Sequence, residues 1–154
     1  MVTVRAHHLL CLLDALPPEP IRPRLFAGHE TLNRVARRLR RNPSALVRVN
    51  AGPDDICLPC PWWSEQEGWC GKEPEKQPEL DAARREMDVA MLEALAWRPG
   101  RTAPARDLYR EIAAGINGDL LAGKICLPCP DAATCAARFA EAVTATLEGF
   151  EAQS

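Results

Sequence analysis

A chain of 154 residues has room for one hydrophobic core and little more. Its 47% hydrophobic and 26% charged residues exclude a chain too polar to collapse, and 19 basic against 21 acidic side chains, a net charge of -2, give no reason to expect nucleic acid or an anionic membrane. The unusual figure is seven cysteines, an odd count that makes metal binding or redox chemistry the expectation in place of a disulfide framework.

The longest apolar run, Leu9 to Leu13, is stopped by Asp14, far short of the roughly 18 residues a membrane span needs. It also lacks the basic start and small-residue cleavage site of an export signal, so a cytoplasmic protein without membrane attachment is expected. Leu9, Leu10, Leu12, Leu13 and Leu16 predict a short first helix ended by Pro17 and Pro18. Residues 25–41 place Leu32, Val35 and Leu39 on one stripe among arginines, a basic second helix stopped by Asn42-Pro43. Val47 and Val49 alternate with Arg48 and Asn50, the pattern of one short strand or an extended lead into the Gly52-Pro53 turn.

From Pro78 to Trp97, Leu80, Ala83, Met87, Met91 and Leu95 recur at helical spacing before Pro99-Gly100. Thr102 is the expected N-cap of a fourth helix carrying Leu108, Ile112 and Ile116, which ends before Gly118. Asp131 is the expected cap of a fifth, with Cys135, Phe139, Val143 and Leu147 inside, running to about Gly149. The expected architecture is therefore mostly α: one domain over residues 1–150 with about five helices, two cysteine-rich loops and a tail at 151–154.

The loops form an internal repeat. Ile56-Cys57-Leu58-Pro59-Cys60-Pro61 returns unchanged, 69 residues later, as Ile125-Cys126-Leu127-Pro128-Cys129-Pro130. Each copy is followed by a third cysteine, Cys70 in the first and Cys135 in the second. Two cysteines spaced by two residues present both thiolates from one tight turn to a single metal or cluster, and a third leaves one ligand to come from elsewhere. The remaining cysteine is Cys11, in the stretch His7-His8-Leu9-Leu10-Cys11, where a helix would bring His7 and His8 near its face. Cys11 can close one site and His7 or His8 the other; alternatively one site stays open for a small molecule, with a histidine as acid, base or anion binder. Zinc and iron-sulfur both suit such loops, and the Cys-Pro ending of each copy favours iron-sulfur.

The chain resembles domain-of-unknown-function family 1284 through Arg5 to Cys11, Asp54 to Pro61 and Ile125 to Pro130, with Cys70 and Cys135 in place as third cysteines. Members of that family are small bacterial and archaeal proteins thought to bind iron-sulfur clusters, with no assigned reaction. The resemblance thus implies a cofactor, not an activity.

Trp62, Trp63 and Trp69 crowd the first loop, either shielding a cluster from water or filling a small core. His29 is expected at the surface, and Asp54 and Asp55 as a turn or cap pair. Segment 22–48 carries eight arginines, among them Arg22 and Arg24, against Glu30, while 54–88 carries ten acids against four bases. Such segregation fits a solvated helix face, or docking of an acidic redox partner or anionic substrate; nucleic acid ranks last for want of a recognition motif. The expectation is a cytoplasmic electron-transfer or redox-support protein with two 4Fe-4S clusters held by Cys11, Cys57, Cys60, Cys70, Cys126, Cys129 and Cys135, with His7 or His8. The alternatives are an enzyme with an open iron site for a small anionic substrate, and a zinc-stabilised interaction module.

Overall fold

The computed structural model describes residues 1–18 and 29–153. The chain opens with strand β1 (Val2–Arg5), then helix α1 (His8–Cys11) extended by a 3₁₀ turn at Leu12–Asp14. Helix α2 (Glu30–Arg41) leads into strand β2 (Leu46–Asn50). β1 and β2 pair in parallel, Val2 opposite Val47 and Val4 opposite Val49, and all four valines are buried. A parallel pair requires a long crossover, and the stretch containing α1 and α2 supplies it. Strand β3 (Trp63–Ser64) forms a small antiparallel hairpin with β4 (Trp69–Cys70).

Helix α3 (Glu79–Ala94) buries Met87, Asp88, Met91 and Leu92. Strand β5 (Thr102–Pro104) then pairs antiparallel with β2, giving the order β1-β2-β5. Pro104, which has no N–H to give a ladder, sits in this edge strand. Helix α4 (Ala105–Gly115), the short α5 (Gly118–Leu120) with a π turn at Leu121–Ile125, and helix α6 (Ala132–Glu151) complete the chain. The helices and the three-stranded sheet share one core that runs from Val2 to Phe150. No helix among the described residues is long and apolar enough to cross a membrane.

The fold is mostly helical, as the periodicity predicts, but among the described residues it holds five strands in two sheets where the expectation is at most one short strand. β1 and β5 are four and three residues long, too short for alternation to stand out; pairing with β2 makes them strands. Thr102 lies within β5, and Pro104 takes the N-cap position of α4. Asp131 occupies the N-cap position of α6 without a side-chain cap bond. Residues 25–28 of the expected second helix lie outside the described residues.

Two close contacts fix the frame around α1 and the second loop. The buried Tyr109 hydroxyl of α4 donates to the Leu9 carbonyl at 2.7 Å, tying α1 to a segment 100 residues away. Gly118 passes so near α6 that a Cβ there would stand 2.8 Å from the Ala136 carbonyl oxygen.

Candidate metal centres

The first loop is held against β1 by two carboxylates. Asp55 accepts the Thr3 N–H at 2.8 Å and returns its own N–H to the Thr3 carbonyl. Asp54, 1% exposed, accepts four bonds: Ile56 and Cys57 N–H on Oδ1 at 3.0 and 2.9 Å, Arg5 N–H and His8 Nδ1 on Oδ2, both at 2.8 Å. Burial opposes its charge, but His8 and the N–H groups of Arg5 and Cys57 outweigh it and hold the carboxyl well below its ordinary range. The expected turn-or-cap pair is therefore an anchor that also binds a histidine.

Around this anchor, the ligand atoms of His8, Asp54 and Cys57 lie within 4.8 Å of one another. Burial and then the Asp54 charge push the Cys57 thiol up to about 12, so its thiolate needs a compensating cation. The Cys60 N–H bonds the Cys57 carbonyl at 2.9 Å, the Trp63 N–H bonds the Cys60 carbonyl at 2.9 Å, and the β3–β4 hairpin sets Cys70 opposite Trp63. Local turns thus fold the third cysteine back toward the first two.

The second loop repeats the turn, with the Cys129 N–H on the Cys126 carbonyl at 2.8 Å. Cys135 stands in the first turn of α6, its N–H on the Asp131 carbonyl at 3.0 Å. Cys11, at the end of α1, faces this loop: burial first, then repulsion from Cys126, Cys135 and Cys129, raises its thiol well above the ordinary value. Thiols from two distant segments therefore share one electrostatic neighbourhood, and no disulfide joins any of the seven cysteines. Yet among the described residues no three of these sulfurs lie within 4.8 Å of one another. A tetrahedral zinc with bonds of about 2.3 Å would draw four sulfurs to spacings of about 3.8 Å.

The two histidines beside Cys11 separate in role. His7 donates from Nδ1 to Asp88 Oδ1 at 2.7 Å, and its backbone N–H bonds the same oxygen at 3.0 Å. Arg5 Nε and Nη2 take the other oxygen at 2.9 and 2.7 Å. Burial pushes His7 down to about 4 against the pull of Asp88, so the imidazole is neutral at neutral pH. Burial also opposes the Asp88 charge, but His7 and Arg5 hold the carboxyl below its ordinary value. This ion-paired unit fixes the turn between β1 and α1. The sequence reading missed Asp88, although it follows Met87 and precedes Met91 by three residues, on the buried stripe of α3.

Other expectations resolve locally. His29 is not a free surface side chain: its Nδ1 accepts the Leu32 N–H at 3.3 Å as the cap of α2, half-buried, with His8 and Asp54 in its electrostatic surroundings. Trp62 is 54% exposed and Trp63 and Trp69 are part-exposed, so none fills the core, whereas Trp97 is buried. The repeat's isoleucines, Ile56 and Ile125, are buried in both copies, as is Cys126 in the second, while Leu58 and Leu127 stand exposed on the outside. On α2, Arg34, Arg37, Arg38 and Arg41 are exposed, Arg37 pairing with Glu30 at 2.9 Å; Arg22 and Arg24 lie outside the described residues.

No curated protein and no solved structure matches the chain significantly. The model of the family described as proteins of unknown function, DUF1284, matches residues 28–137, a span that contains both cysteine loops and leaves Arg5 to Cys11 outside it. That match covers more than half of the sequence, and the chain belongs to the DUF1284 family.

Proposed function

We propose that the protein holds two 4Fe-4S clusters and passes single electrons to and from a partner protein. The observation that carries this reading is the duplicated Cys-x2-Cys-Pro loop with a third cysteine after each copy, together with Cys11 standing in the electrostatic surroundings of Cys126, Cys135 and Cys129 with no disulfide among them. Such a group is stable as thiolates only around a strongly cationic core. The duplicated first loop, with Cys57, Cys60 and Cys70, supports a second centre of the same kind. A bound cluster of this type takes up and releases one electron.

The chain's own part is placement. His8 and Cys11 are three residues apart on one helical turn, so their Cβ atoms are about 5–6 Å from each other and the two centres flank a single short element. The α6 N-terminus adds its positive dipole end beside Cys135. Exposed Leu58, Trp62 and Leu127 on the loops offer apolar contact for a partner, and the arginines of α2 suit an acidic one.

The test is iron and acid-labile sulfide analysis of anaerobically purified protein, with absorbance followed through dithionite reduction and reoxidation. Iron and sulfide in equal amounts, sufficient for two four-iron clusters and bleached reversibly, are expected. Colourless protein with stoichiometric zinc and no sulfide would overturn the reading, as would intact clusters that undergo no reversible reduction.

A further inference from the structure

The two loops repeat in sequence but not in surroundings, and the difference lies at the fourth ligand. The 3₁₀ turn that directly follows Cys11 packs against α6, the helix that carries Cys135, so Cys11 goes with the second loop and leaves the first with three thiols and no fourth among the seven. The group standing against Cys57 is His8. Resting on the cluster reading above, we infer that His8, through Nε2, is the non-cysteine ligand of the first centre, and that Asp54 is the residue that positions it.

Three features carry the assignment. His8 Nδ1 is committed to Asp54 Oδ2 at 2.8 Å, which places the proton on Nδ1 and the lone pair on Nε2, the tautomer a metal requires. Asp54 itself is not a competing ligand, since its two oxygens already accept four hydrogen bonds. His7, the other histidine of the turn, is turned to Asp88 and buried to 5% exposure, so the adjacent residue cannot substitute without breaking the Arg5–Asp88 unit. A carboxylate that locks a histidine ring while also binding the backbone N–H of a cysteine three residues further on holds both ligands to one rigid frame.

A neutral imidazole in place of a thiolate leaves the first centre less negative than the all-cysteine second centre, and less negative centres are reduced first. The protein would then hold two unequal centres about one helical turn, the first being the electron acceptor of the pair.

The experiment uses the full-length protein, reconstituted anaerobically with iron and sulfide, reduced stepwise with dithionite, and examined by pulsed electron paramagnetic resonance with histidine nitrogen as ¹⁴N or ¹⁵N. The first-reduced centre is expected to show coupling to a histidine nitrogen that changes with the label. His8→Cys should keep the iron content, abolish that coupling and move the centre to lower potential, whereas His7→Asn should leave the coupling in place. Cys11→Ser should remove or alter the other centre while the histidine-coupled signal persists. Two clusters without histidine coupling, or coupling that survives His8→Cys, overturns the assignment and leaves the cluster reading standing. Absence of clusters from the parent protein defeats that reading itself.

Discussion

Asp88→Asn is the sharpest test of how the turn between β1 and α1 is held. The Arg5 and Asp88 side chains are 4% and 0% exposed and 2.7 Å apart, and Asp88 also accepts two bonds from His7. Asparagine keeps the size but removes the charge that pairs directly with the buried Arg5 guanidinium, leaving it only the weaker field of Asp54. Breaking one side of a buried pair costs about 3–5 kcal/mol. For a chain of this length each kcal/mol is worth roughly 2–4 °C, so the melting temperature should fall by about 6–20 °C. Urea unfolding of variants matched for metal content should show the loss as a lower midpoint with an unchanged slope. Arg5→Met should cost a similar amount, and the double variant should cost much less than the sum, because each single change strands the other partner. By contrast, Arg37→Ala breaks a pair whose side chains are 46% and 65% exposed and should alter stability by no more than about 0.5 kcal/mol. A loss below about 1 kcal/mol for Asp88→Asn, or strict additivity with Arg5→Met, would refute the reasoning.

His7 gives the unit a pH dependence whose sign follows from its depressed value. The folded imidazole stays neutral down to about 4, while the unfolded one gains its proton below about 6.5, so stability present above 6.5 is lost as pH falls through that window. His7→Asn, which retains a donor to Asp88, should flatten the slope in urea midpoints measured at pH 7, 6 and 5; an unchanged slope would mean another group titrates. Tyr109→Phe deletes a buried bond of 2.7 Å to the Leu9 carbonyl and should cost about 1–2 kcal/mol by the same assay, with no change if water replaces the hydroxyl. Gly118→Ala sets a Cβ 2.8 Å from the Ala136 carbonyl oxygen and should cost about 1–3 kcal/mol. Wild-type melting of that variant would show that α5 can retreat from α6 freely.

What the sequence disclosed depended on whether the signal was local. α3, α4 and α6 follow from apolar spacing, with Met87 and Met91, Leu108 and Ile112, Phe139 and Val143 buried as their period requires. β1 and β5 become strands through partners more than forty residues away, and the π turn at Leu121–Ile125 follows no residue pattern that periodicity detects. The same division holds at the sites. The six loop cysteines were visible as a repeat, but the partner of Cys11 was not, because proximity across 115 residues or more is a property of the packed chain. Asp88 was legible in principle, as an acid on an apolar helical stripe, which burial permits only with a partner.

The divergence of the two loops traces to the residue two places before each repeated isoleucine. In the first loop it is Asp54, whose carboxylate gathers Arg5, His8, Ile56 and Cys57. In the second it is Gly123, within the π turn, which has no side chain to anchor an imidazole. A histidine arriving there would lack the acceptor that sets its tautomer, whereas a cysteine ligand needs no such orienting group. On the proposed ligation, the single turn of α1 offers His8 to the loop that can hold a histidine and Cys11 to the loop that cannot. On that ligation, a carboxylate at one position of a duplicated motif would make one centre different from the other.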